Sequence, residues 1–333
     1  MTLHRFIPTL LMLCCLLAAV PAPAARLKMA TLSPDGSSWM IRMREAAAEV
    51  EKETDGRVRI KYYPGGVMGN DTAVLQKMRV GQLQGGTLMA GSLTNIYEDI
   101  EIYSLPMKFR SLDEVDHVRG QLDAPLLAAL EKKGLTAFGI AEGGFAYILS
   151  QKPIRSLGDL QQRKMWIPDD EPNILEGAKA LELKPIPLAI SDVLAGLQTG
   201  LIDTVATAPI GAVALQWHTQ VDYLLDVPFM YICALLVADQ KAFARLSPED
   251  QPVVRDILSR MFQAIDRQNR EDNIKAMAAL RNQGIQFITP SPEALAELRD
   301  RAGEIPKRML ETGHLSPQIV RTLDEALDAY RKQ

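Results

Sequence analysis

The sequence predicts an α/β fold in two lobes, and three observations carry that expectation. The first third alternates strand and helix, the same alternation recurs in the middle of the chain, and one very long amphipathic helix follows. With hydrophobic residues at 47% of 333 positions, the chain has enough apolar material for two ordinary domains.

The first 24 residues read as a leader rather than as part of the fold. Arg5 precedes an apolar run over residues 6–20, and Ala22-Pro23-Ala24 supplies a small-x-small cleavage site. That run is shorter than the ~20 residues that span a bilayer, and no later run is longer. Export to the periplasm as a soluble protein is the expectation. Cys14 and Cys15 leave with the leader, so only Cys233 remains and no internal disulfide can form. The 37 basic and 41 acidic residues, of which the leader takes only Arg5, leave a mild negative excess that argues against a nucleic-acid partner.

The elements follow in order. Residues 26–31 are extended, Ser33-Pro34-Asp35-Gly36 is turn chemistry, and residues 39–53 form a charged amphipathic helix that Gly56 stops. A second strand over 58–63 alternates apolar and basic residues before Pro64-Gly65-Gly66 breaks it. Helical spacing resumes over 71–80, with Asn70-Asp71 as its cap, and Gly85-Gly86 introduces a short apolar strand through Leu88 and Met89. This β-α-β-α-β opening predicts a mainly parallel sheet flanked by helices. Strands over 135–140, 147–150, 164–167, 184–187 and 204–206 repeat the pattern and point to a second sheet. Ser247-Pro248-Glu249-Asp250 then opens a helix that keeps Val254, Leu258, Met261 and Ile265 on one face and ends before Gly284. Its ~35 residues at 1.5 Å each reach roughly 50 Å, enough to back both lobes. Helices over 292–301 and 316–332 close the chain.

Catalytic and metal-binding patterns are absent. His4, His117, His218 and His314 are scattered, no Cys-x-x-Cys occurs, and neither a Gly-x-Ser-x-Gly elbow nor a phosphate loop is present. No cofactor is implied. Gly65-Gly66-Val67-Met68-Gly69 lacks dinucleotide spacing and reads as a turn. Asp169-Asp170-Glu171, with Glu142 from a neighbouring strand end, is the best acid-base candidate. A capped helix start ahead of Pro172 explains the same acids and is preferred.

Five segments together resemble the dicarboxylate-binding type of solute-binding protein from the tripartite ATP-independent periplasmic (TRAP) transporters. They are the run from Tyr63-Pro64-Gly65-Gly66 to Asp71; Gly81-Gln82-Leu83; Leu105-Pro106-Met107-Lys108-Phe109-Arg110-Ser111; Pro153-Ile154-Arg155-Ser156-Leu157; and Gly200-Leu201-Ile202-Asp203. The resemblance implies a two-lobed receptor with a ligand cleft between lobes, a long helix behind both, and no catalysis. Its parts would be a signal peptide over 1–24, lobe I over 25–148 completed by roughly 230–260, and lobe II over 149–229 completed by roughly 261–333. The implied partners are a small organic solute and membrane permease subunits, with the receptor itself a soluble monomer. A periplasmic sensing subunit, or an enzyme on the same fold using Glu142 or Asp169 as base, stands as the alternative.

The family anchors its ligand carboxylate with an arginine in the pattern lysine, apolar, arginine, apolar, proline. Here Lys164-Met165-Trp166-Ile167-Pro168 puts Trp166 at that place, and Ala146 follows Gly144-Phe145 where a second arginine is common. Losing one member of a buried charge pair typically costs about 2–5 kcal/mol of binding, so the expectation is a neutral, aromatic or cationic solute rather than a dicarboxylate. Trp166 offers a ring face and one N–H donor to such a solute. Phe145, Tyr147, Ser92, Asp169, Thr207, Trp39, Phe229 and Glu142 are the further cleft candidates, and Trp217 is read as packing.

Overall fold

The computed structural model describes residues 24–332. The leader assignment over 1–24 therefore lies almost wholly outside the described residues. The strands are β1 (Ala25–Thr31), β2 (Val58–Tyr63), β3 (Gly85–Met89), β4 (Leu135–Ser150), β5 (Lys164–Pro168), β6 (Lys184–Leu188), β7 (Thr204–Thr207), β8 (Tyr223–Asp239) and β9 (Gln286–Ile288). The helices are α1 (Ser38–Glu53), α2 (Asp71–Arg79), α3 (Leu112–Lys132), α4 (Leu157–Gln161), α5 (Pro172–Ala180), α6 (Val193–Thr199), α7 (Pro209–Ala214), α8 (Gln240–Phe243), α9 (Asp250–Asn282), α10 (Pro292–Ala302), α11 (Glu304–Glu311) and α12 (Pro317–Arg331).

All nine strands join one continuous sheet in the order β2-β1-β3-β8-β4-β7-β5-β6, with β9 on β8. The expected second sheet is thus the other end of the first. Two long antiparallel strands, β4 and β8, run through both lobes and weld them together. The first lobe gathers β1, β2 and β3 against the 233–239 end of β8, and the second gathers β7, β5 and β6 beyond the 146–150 end of β4. Parallel pairing holds in each flank, as the β-α-β reading requires, while the centre is antiparallel. The strands expected over 135–140 and 147–150 are one element, because register shifts at Ala137/Gly139, Glu142/Gly144 and Ala146/Ile148 let β4 bend without leaving the ladder.

Helix α9, at 33 residues, matches its expected span and is about 50 Å long. Val254, Leu258, Phe262 and Ile265 pack into the core of the first lobe, and Leu280 packs into that of the second. Its polar side chains hold the bend in β4. Asn273 donates to the Gly143 carbonyl at 2.8 Å and accepts from Ile210 N at 3.1 Å, and Asn269 donates to the Glu142 carbonyl. Gly144 adopts φ +100°, and a Cβ there would lie 2.5 Å from Asn273 Nδ2. Glycine is required at that position by conformation and by space alike. Among the described residues no helix is long and apolar enough to cross a membrane.

Candidate functional site

The parallel strands of each flank end on the same crevice, where ligand sites of α/β sheets form. Thr31 ends β1, Met89 ends β3, Pro168 ends β5 and Thr207 ends β7, and all four line a cavity of about 420 Å³. The crossing segment of β8, including Phe229 and Met230, contributes a further wall.

Trp166 lines this cavity, yet most of its ring belongs to the second lobe's core. It is 6% exposed, packs edge-on to Trp217 with centroids 5.0 Å apart, and shares a cluster with Leu197 and Val205. Its N–H donates to the Leu188 carbonyl at 3.0 Å. The expectation of a free indole donor is therefore corrected: the neighbouring strand β6 already uses it, and only the apolar ring is left for a solute. Trp217 packs as expected but also touches the cavity.

Among the other candidates, Trp39, Asp169, Thr207 and Phe229 line the cavity. Trp39 is fixed from behind, donating to Asn269 Oδ1 at 2.6 Å and meeting Phe262 edge-on. Ser92 is corrected. Its hydroxyl is buried beside Asp71, and the residue does not reach the cavity surface. Phe145, Tyr147 and Glu142 are corrected too, since they line a separate groove with Arg270 and Asn273. The bends in β4 turn them away from the crevice. Phe145 packs edge-on against Tyr231. Glu142, 1% exposed, accepts from Arg270 Nη2 at 2.8 Å and Tyr231 Oη at 3.1 Å, a satisfied pair that tethers α9 to the sheet.

The cavity's polar wall is acidic. Asp71, Glu101, Asp169, Asp170 and Glu171 all line it, whereas among the described residues no lysine, arginine or histidine does. The acids expected to cap their own helix act across the crevice instead. Asp170 accepts from Asp71 N, at the start of α2 in the first lobe, at 3.0 Å, and Asn70 donates to Asp169 at 3.3 Å. Asn70 itself caps α2 as expected, accepting from Ala73 N. Asn173 donates to Glu101 at 2.6 Å. Glu171 holds the N-cap position of α5 but makes no capping bond. Its Oε2 lies against Gly91, where a Cβ would come within 2.0 Å.

Crowding of buried acids without a cation shifts their protonation. Burial pushes Asp71 up to about 7 and Glu101 up to about 7, against lowering by the Met89 N–H and the Asn173 amide respectively. Glu171 rises well above the usual carboxylate range through burial, then through Glu101, Asp170 and Asp71. Asp170 is also raised by burial, opposed by the Asp71 N–H.

The family model described as bacterial extracellular solute-binding protein, family 7, matches residues 29–312. The chain belongs to that family. A solute-binding protein of Verminephrobacter eiseniae is 27% identical over 248 residues, 73% of this chain and 72% of the relative. The C4-dicarboxylate-binding periplasmic protein DctP of Rhodobacter capsulatus is 27% identical over 244 residues, 70% and 71% of the two chains. Among solved structures, a TRAP periplasmic solute-binding protein from Desulfovibrio salexigens with bound orotic acid superposes with TM-score 0.82 at 16% identity, over 92% of this chain and 99% of that one. One from Sulfitobacter sp. NAS-14.1 with bound β-D-galacturonate gives 0.82 at 19%, over 91% and 99%. Family 7 proteins are extracytoplasmic solute receptors and not enzymes.

Within this family 7 chain, Asp71, Glu101 and Thr87 are cavity residues that sequence reasoning missed. Asp71 was absorbed into the cap of α2, and Glu101 sits in the 3-10 segment Glu98–Ser104, which carries no motif. Only the meeting of residues 71, 101 and 171 in space marks them.

Proposed function

We propose that this chain is the receptor of a TRAP-type uptake system, that it binds a small organic solute without a carboxylate anchor, and that it delivers it to a membrane permease. Lobe I, over 25–148, and lobe II, over 149–229, close on the solute, each completed by the later segments of the chain. The reading rests on one observation: a cavity lined by five acids holds no basic side chain among the described residues. A carboxylate entering it would lose hydration worth several kcal/mol with no cation to replace it. Trp166 takes the arginine's place in sequence and presents apolar surface there.

Thermal unfolding of the mature protein with succinate, malate and galacturonate tests this, since a solute that binds only the folded state raises the midpoint with concentration. None of the three is expected to move the midpoint at 1–10 mM, roughly the range over which a weak ligand still registers. A clear response to any of them defeats the proposal.

A further inference from the structure

We infer that the solute is an organic ammonium ion, with N–H donors on an apolar body, whose charge sits at Glu171. This rests on the receptor reading above and names the chemistry of its ligand.

Two independent features point there. Glu171 is only 9% exposed and lines the cavity, yet among the described residues no donor or basic nitrogen pairs with its carboxylate; Glu101, Asp170 and Asp71 are the charged groups it faces. Separately, Asp71, Glu101, Asp169 and Asp170 line the same cavity, so among the described residues every charged side chain on its walls is acidic. A buried carboxylate is tolerated when it is protonated or when a cation meets it. With no protein cation on any wall among the described residues, the solute is the remaining source of positive charge. An ammonium N–H satisfies the carboxylate with a charge-assisted bond.

The rest of the cavity selects against a bare metal ion. Among the described residues no group of three or more His, Cys, Asp or Glu side chains is arranged to hold one. Met89, Met165, Ile167, Met230 and Met309 line the walls and suit a hydrocarbon body, while the rings of Trp39 and Phe229 add faces to which a cation is attracted.

The test is calorimetric titration of the mature protein at pH 7.5 with three bodies of matched shape: phenethylammonium, 2-phenylethanol and 3-phenylpropionate, with hexylammonium and tetramethylammonium beside them. A primary ammonium is expected to bind at least about tenfold more tightly than the alcohol, with no binding by the carboxylate. Repeating the titration in buffers of different ionisation enthalpy should show proton release, as the cation displaces protons from the acids. Glu171→Gln should cut ammonium affinity at least about tenfold while its ligand-free unfolding midpoint stays level or rises, because an unpaired buried charge has gone. Glu101→Gln serves as second variant should the first fail to fold. Equal binding of alcohol and ammonium overturns the cation and leaves the receptor reading standing. Binding of 3-phenylpropionate overturns both, and silence from every ammonium probe, or a preference for tetramethylammonium, also defeats this inference.

Discussion

At the scale of single residues, the smallest side chain makes room for the most consequential one. Gly91 has an ordinary right-handed backbone, so alanine costs it nothing in conformation, but the new methyl would stand 2.0 Å from Glu171 Oε2 and 2.8 Å from its Cδ. Gly91→Ala is therefore expected to fold with an unfolding midpoint near that of the wild type and to lower phenethylammonium affinity at least about tenfold, by displacing the carboxylate. Titration of the variant checks this, and unchanged affinity would remove Glu171 from the site. Sequence alone could not show the pair. Asp169-Asp170-Glu171-Pro172 reads the same whether the acids cap their own helix or reach across a crevice, and it is the fold that sets residue 171 against residue 91. Trp166 was legible in the opposite sense. Its place in a motif could be read, but the carbonyl of Leu188 that takes up its N–H arrives from a neighbouring strand.

At the scale of elements, periodicity revealed the helices better than the strands. Helix α9 announces itself through a cap, a 3.6-residue apolar stripe and a terminal glycine, all of them local signals. Strand β8 does not, because Asp226 and Pro228 interrupt it, and β4 was divided at Gly143-Gly144, where the glycines mark a bend and not an end. What keeps that bend in place is a row of amides on α9. Asn269, 1% exposed, accepts from Trp39 in the cavity wall and donates to the Glu142 carbonyl behind it. Asn269→Ala leaves the buried Glu142 carbonyl and the half-buried Trp39 N–H unpaired at about 1–3 kcal/mol each, so a loss of roughly 2–6 kcal/mol is expected. Urea unfolding measures it, as a lower midpoint with unchanged slope. A loss below about 0.5 kcal/mol, the range of ordinary surface substitutions, would mean that these bonds do not support the wall.

At the scale of the whole molecule, the acids that line the cavity also make bonds across it, which on the proposed reading ties closure to pH. Asp170 meets Asp71, Asn173 meets Glu101, and Glu171 lies against Gly91, each contact bridging the crevice. The charged groups facing one another are Asp71, Glu101, Asp169, Asp170 and Glu171, with no cation among the described cavity residues. Burial raises Asp71 and Glu101 to about 7 and lifts Glu171 well above the usual carboxylate range, whereas opening the crevice returns them to water and to ordinary carboxylate behaviour. The closed form therefore holds more protons than the open or unfolded forms. An acid raised in this way contributes its full stability below about pH 4 and loses it as pH climbs through about 7. Without solute, the mature protein is expected to have a larger radius of gyration at pH 8.5 than at pH 5.5, and an unfolding midpoint several degrees lower. Phenethylammonium at pH 8.5 should bring the radius back, because its charge does for the carboxylates what protons do in acid, and a ligand shifts a conformational equilibrium only by its preference for one form. X-ray scattering at the two pH values reads the outcome directly. A radius that ignores both pH and amine would mean that the acids neither oppose closure nor sense the solute.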